Sequence, residues 1–144
     1  MELELIELTH KNEVCKTYEI YKHCMFMPTE EKFNKKIDQF LNDNSIKIFA
    51  CFNQSEIVGV IVVSFLEQRN IEIMGIAVKL SARGKGVGSY MINQIVTNYG
   101  LASVYAETDN DAVGFYRNNG FSIKEFAKIY DDETVLRYKC KLTK

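Results

Sequence analysis

The chain is 144 residues long, the size of one ordinary domain able to bury a core, and residues 1–144 read as a single unit. With 47% hydrophobic and 26% charged residues it is globular rather than disordered, and its net charge of −1 speaks against a nucleic-acid partner. No apolar run reaches the ~18–20 residues that cross a bilayer, and the acidic, alternating start Met1-Glu2-Leu3-Glu4-Leu5 is no signal peptide.

A first strand is outlined by Leu3 and Leu5 and runs to Leu8. Val14, Tyr18, Tyr21 and Met25 then fall at helical spacing and predict one amphipathic helix. A second helix starts after Pro28, with Thr29 as cap, Glu30 and Glu31 at the positive end, and Phe33, Ile37, Phe40 and Leu41 on the apolar face. Three strands follow in series: Ser45 to Phe52, Ile57 to Phe65 and Ile71 to Val78. The middle one is almost wholly apolar, which predicts a strand buried on both faces. Short turns between them predict an antiparallel meander. Val87, Met91 and Ile95 line a helix from Val87 to Tyr99 that stops at Gly100. Ser103 to Thr108 is a strand, and Asp109 or Asn110 caps a short helix that ends at Gly120. Phe121 to Ala127 and Thr134 to Leu142 are the last strands, the latter with Leu136, Tyr138, Cys140 and Leu142 on one face.

Cys15, Cys24, Cys51 and Cys140 form no CxxC pair, so free thiols in a reducing, cytoplasmic setting are expected. His10 and His23 lack metal-ligand spacing with them, so no metal is expected and all six residues are read as structural.

The run Arg83-Gly84-Lys85-Gly86-Val87-Gly88-Ser89 sits between a strand and a helix. A helix start leaves N–H groups unpaired at the positive end of a dipole, and alternate glycines let backbone approach a ligand. That combination suits a phosphate or pyrophosphate. A P-loop is excluded because Gly86 follows Lys85, and a Rossmann fingerprint is excluded because Lys79 to Arg83 separate strand from glycines. What stands there is R-x-x-G-x-G, and Asn110, Ala112, Phe115, Tyr116, Gly120 and Phe121 follow one strand and one helix later. Together these resemble the acetyl-CoA loop and the N-x-x-A-x-x-F-Y-x-x-x-G-F signature of the GNAT (Gcn5-related) N-acetyltransferase family. The close match covers roughly Ile71 to Phe121.

The resemblance implies an α/β (α+β) fold: one mixed, mostly antiparallel sheet of six or seven strands, splayed between the fourth and fifth, with about four helices on its two faces. It implies acetyl-CoA as acetyl donor, with the loop residues Arg83, Gly84, Lys85, Gly86, Val87, Gly88 and Ser89 around its phosphates. The backbone of Ile76, Ala77 and Val78 would pair with the pantetheine amides, and Asn110, Phe115 and Tyr116 would flank the cofactor. Tyr116 stands where the family places the acid that protonates the departing thiolate. Most amines are protonated at neutral pH, so a base is also needed. Glu72, at the position of the histone-acetylating branch's glutamate, and Glu107, at the end of the fifth strand, are the candidates. No serine–histidine or cysteine–histidine pair suggests an acyl-enzyme, so direct attack on the thioester is implied. The acidic run Asp131, Asp132 and Glu133 favours a small cationic amine as acceptor. A protein N-terminal or lysine amine, or a non-catalytic acyl-CoA sensor, remains open, as does a homodimer.

Overall fold

Apolar segments of strand length fold into a single sheet in the computed structural model, which describes all of residues 1–144. Its strands are β1 (Leu3–Leu8), β2 (Ile46–Asn53), β3 (Glu56–Leu66), β4 (Asn70–Val78), β5 (Ser103–Thr108), β6 (Ser122–Tyr130) and β7 (Glu133–Thr143). They lie in the order β1-β2-β3-β4-β5-β7-β6. Every neighbouring pair is antiparallel except β4–β5. The expected central strand is β3, in which Val58 to Val63 are buried on both sides apart from Gly59's lack of a side chain.

Five helices cover the sheet: α1 (Lys11–Cys15), α2 (Tyr18–Tyr21), α3 (Glu30–Leu41), α4 (Val87–Tyr99) and α5 (Val113–Asn118). Helices α1 to α3 bury Val14, Tyr21, Phe33 and Ile37 against Ile48, Val60 and Val62 of the sheet. Helices α4 and α5 close the other face with Val87, Met91, Ile95 and Tyr116 against Val63, Val104 and Cys140. Each of the large apolar side chains stabilises the fold by roughly 1.5–3 kcal/mol. Thr29 caps α3 as expected, its hydroxyl accepting from the Lys32 N–H at 3.1 Å. Gly100, at φ 58 and ψ 46, ends α4 in the left-handed region. No helix is long and apolar enough to cross a membrane.

Two expectations need correction. The stripe from Val14 to Met25 is not one helix. It breaks into α1, α2 and a 3-10 turn over Lys22–Cys24. The buried Thr17 explains the break, because its hydroxyl donates to the Val14 carbonyl at 2.7 Å and closes the turn locally. Leu136 is 47% exposed, although it shares a strand face with the buried Tyr138, Cys140 and Leu142. The β6–β7 hairpin runs past the last core contact of α5, so its outer end has nothing to pack against.

Two features of β4 shape the site. It pairs with β5 only at Asn70–Ser103, Ile71–Val104 and Glu72–Tyr105. Beyond that point the two parallel strands part, and the gap opens at their carboxyl ends, where α4 and α5 begin. Met74 is an extra residue against β3, since Val63 pairs with Ile73 and Val62 with Gly75. This bulge inverts the strand's parity. Before it Ile71 and Ile73 face the α4 side; after it Ile76 and Val78 do, and Ala77 faces α2 and α3.

Candidate active site

The glycine loop is open for a ligand. Gly84 (φ +75) and Gly86 (φ +82) take backbone conformations that disfavour side chains, and a Cβ on either would meet nothing within 4 Å. Gly86 is the N-cap of α4 and no side chain caps that end, so the first N–H groups of a thirteen-residue helix are left for a ligand. Gly88 is glycine for another reason. A Cβ there would stand 2.7 Å from the Phe115 ring, so its role in the fold is to admit α5. Arg83 Nε donates to the Val78 carbonyl at 3.1 Å, which holds its charge beside the loop, while Lys85 is exposed. Val87 is buried beneath the helix. Ser89 bonds Asn119 at the far end of α5.

The second motif builds α5 at the other side of the mouth. Asp109, not Asn110, satisfies the entry to this helix: its Oδ1 accepts from the N–H groups of Asp111 and Ala112, both at 3.0 Å. Counting three residues back from Ala112 also reaches Asp109, so the chain carries aspartate where the family signature has asparagine. Asn110 instead accepts from the Tyr138 hydroxyl at 3.1 Å and braces α5 against β7. The helix ends in a Schellman turn, with Gly120 bonded to Arg117 and Phe121 to Tyr116. Phe115 and Phe121 grip the Tyr116 ring edge-on, each with centroids 5.2 Å away. Tyr116 is 5% exposed. Burial raises its phenol well above the ordinary value, with Cys140 and Cys24 adding smaller effects and no hydrogen bond contributing. Its hydroxyl makes no hydrogen bond within the protein and is not among the fully buried polar atoms, so a ligand can reach it.

Between the two motifs runs the free edge of β4. Lys79 N–H donates to Val58 across the β3–β4 ladder, so by alternation the Ala77 groups also face β3. Ile76 and Val78 therefore turn their N–H and C=O toward the gap, where the Val78 carbonyl already accepts from Arg83 Nε, and Ala77 does not. The 3-10 turn places Cys24 against this edge. Its thiol donates to the Tyr21 carbonyl at 3.1 Å and faces the Ile76 N–H, while the residue as a whole stays exposed. The Tyr21 hydroxyl rests on Gly75, where any Cβ would collide with it. Nothing in the spacing of Cys24 showed that the broken helix would carry it to β4. All four cysteines are free thiols.

On the face opposite α4, a cleft of about 610 Å³ meets the apex of the gap. Glu67, Asn70, Glu72, Tyr105, Glu107 and Lys139 line it, and Cys140 links it to the surroundings of Tyr116. Glu72 and Glu107 are thus brought to one cleft. Their situations differ. Glu107 Oε1 is held by Lys128 Nζ at 3.2 Å and has Arg137 Nε at 3.7 Å, whereas Glu72 has no ion-pair partner. No group of three or more His, Cys, Asp or Glu side chains could hold a metal.

This architecture recurs in solved structures. A Bacillus subtilis acetyltransferase in complex with CoA is 18% identical, with each chain covered over 99% of its length and a TM-score of 0.71. The ribosomal-protein-S18-alanine N-acetyltransferase of Escherichia coli is 14% identical over 99% of this chain and 94% of its own, at TM-score 0.72. A spermidine N-acetyltransferase chimera from Vibrio cholerae is 16% identical over 99% and 96%, at TM-score 0.76. No curated protein matches the sequence. The model of the acetyltransferase (GNAT) family matches residues 14–121, which takes in the glycine loop, β5 and all of α5, and the chain therefore belongs to the GNAT acetyltransferase family.

Proposed function

We propose that this protein transfers an acetyl group from acetyl-CoA to a primary amine by direct attack of the amine on the thioester. The observation that carries the reading is the splay of β4 from β5, with an unfilled helix start at its mouth and the unpartnered Tyr116 hydroxyl at its side. The groups present fit the donor. The N–H groups from Gly86 to Ser89 suit a pyrophosphate, with Arg83 and Lys85 supplying charge. Ile76 and Val78 suit the amides of an extended arm, which would add the pairing that β4 lacks.

Each residue then has a distinct task. Glu72, free of ion pairs, takes the proton from the incoming ammonium, directly or through water. Glu107 shares the cleft but its carboxylate is engaged by Lys128 and Arg137, so its task is to hold those cations. Tyr116 stays protonated at neutral pH because burial opposes its ionisation, and it donates to the thiolate that leaves. The amine's electron pair forms the new C–N bond as the C–S bond breaks; the nitrogen then loses its second proton and Tyr116 regains the one it gave, both by exchange with water.

Two acceptor classes have support. A small cationic amine, as in the spermidine-acetylating neighbour, finds Glu67 and Glu72 in the cleft. The hairpin acids Asp131, Asp132 and Glu133 lend this reading little, since six residues of extended strand put Glu133 roughly 20 Å along β7 from Lys139. A peptide amine, as in the ribosomal-protein neighbour, finds an open sheet face beside the cleft. The test is coenzyme A release from acetyl-CoA with and without amines. Release that no amine accelerates would leave only a sensor or a hydrolase.

A further inference from the structure

The sheet face opposite α4 and α5 is only half covered. Helices α1 to α3 lie over β2 to β4, and no helix lies over β5, β7 and β6 on that side. Bridge partners fix which side chains share it. Lys141 pairs with Tyr105 and Ser122, Lys139 with Glu107 and Lys124, Arg137 with Phe126, and Val135 with Lys128. Five cations, Lys124, Lys128, Arg137, Lys139 and Lys141, therefore stand on one face of a protein whose net charge is −1. Their acidic company is Glu107 within the face, Glu72 and Glu67 at its β4 border and Glu133 at the distal end.

The face is organised. Lys139 Nζ lies 5.0 Å from the Phe126 ring centre, Lys141 Nζ 5.4 Å from that of Tyr105 and Lys128 Nζ 5.4 Å from that of Tyr130. These rings hold the ammonium groups over the sheet instead of letting them extend into solvent. Arg137 Nε is buried without a hydrogen-bond partner, since Glu107 at 3.7 Å is beyond that range. Along β7 the cations of Arg137, Lys139 and Lys141 recur every second residue, about 6.8 Å apart. That is the same-side spacing of an extended peptide. Lys139 belongs both to this row and to the cleft that holds Glu72.

We propose that the acceptor amine is carried by an acidic peptide segment, whose carboxylates lie along Lys124, Lys139 and Lys141 while its amine enters the cleft beside Glu72, with Lys128 and Arg137, already paired with Glu107, adding positive potential. This rests on the acetyltransferase reading and names the substrate class for the same site. The repulsion between like charges would also exclude basic peptides.

Fluorescein-labelled peptides with an N-terminal alanine followed by glutamates, glutamines or lysines test this, with oligouridylate as a second polyanion. The acidic peptide is expected to bind at least about tenfold tighter than the glutamine peptide and to lose that advantage in molar salt. It is also expected to be the better acceptor in coenzyme A release. The double variant Lys124→Glu/Lys141→Glu should remove the preference in anisotropy and raise KM for the acidic peptide about tenfold, with acetyl-CoA affinity as the check on folding. Equal binding of the three peptides would overturn the proposal even if all are acetylated. Tighter binding of oligouridylate than of the acidic peptide through the same two lysines would overturn it in favour of a nucleic acid. If nothing is acetylated, the transfer reading fails, and anisotropy still decides the charge preference of the face.

Discussion

A Cβ built on Gly88 would stand 2.7 Å from Cε1 of Phe115, so the first turn of α4 and the helix that carries Tyr116 meet through a missing side chain. The glycine loop and the helix that carries Tyr116 are thereby one packed unit. Ser89 and Asn119 bond across the same contact.

Gly88→Ala should therefore act on the fold. The intruding methyl must displace the Phe115 ring, and we expect a loss of about 1–3 kcal/mol of stability, read by thermal or urea unfolding. Gly86→Ala should act on the ligand. Its Cβ meets nothing in the protein, and its left-handed backbone costs ~1–2 kcal/mol. Acetyl-CoA affinity, measured by calorimetry, should fall by about tenfold or more, the equivalent of one lost hydrogen bond. Unchanged affinity in Gly86→Ala would remove the loop from the donor site.

Tyr116→Phe removes a hydroxyl that no protein group uses. Folding and acetyl-CoA binding should survive, and kcat should fall by ~10²–10⁴-fold, the range of general acid catalysis. A kcat within about twofold of wild type, with chemistry rate-limiting, would make Tyr116 a packing residue.

The raised phenols also fix a pH dependence. Burial raises Tyr116 and Tyr21 in the fold above the ordinary value near 10, so the native state holds these protons longer than the unfolded chain. Their contribution to stability is complete below about pH 10 and declines as pH rises above it. Urea unfolding between neutral pH and pH ~11 should show that decline, and Tyr116→Phe should lessen it.

Glu72→Gln should slow turnover most at low pH, where the acceptor is most protonated. Glu107→Gln should alter the ion pairs to Lys128 and Arg137 and change stability by less than about 1 kcal/mol, because the pair with Lys128 is solvent-accessible. A pH–rate profile unchanged in both single variants and in the double variant would exclude carboxylate catalysis in this cleft.

The helix Val87–Tyr99, its Gly100 cap and the strand Ser103–Thr108 were legible to the residue, because glycine and capping chemistry punctuate them. The glycine loop at the start of α4 and the turn of α5 at Gly120 were legible too, since short motifs carry them, whereas the residue satisfying the entry to α5 is Asp109 and not Asn110. What sequence did not reveal depends on tertiary detail. The Val14–Met25 stripe is interrupted at Thr17, whose hydroxyl bonds the Val14 carbonyl, and in the broken arrangement Cys24 lies at the edge of β4. The bulge at Met74 gives no local signal, yet it decides that Ile76 and Val78 turn to the α4 face. The cationic face was hidden because its residues come from two strands whose charges cancel elsewhere in the chain.

Acceptor-dependent formation of N-acetylated product from acetyl-CoA, followed by mass spectrometry in parallel with coenzyme A release, bears on every step proposed here. We predict that an amine acceptor accelerates release, that acetyl appears on its nitrogen in equal amount, and that Tyr116→Phe suppresses both without weakening acetyl-CoA binding. Release of coenzyme A at one rate with or without any amine, and no acetylated product, would contradict it.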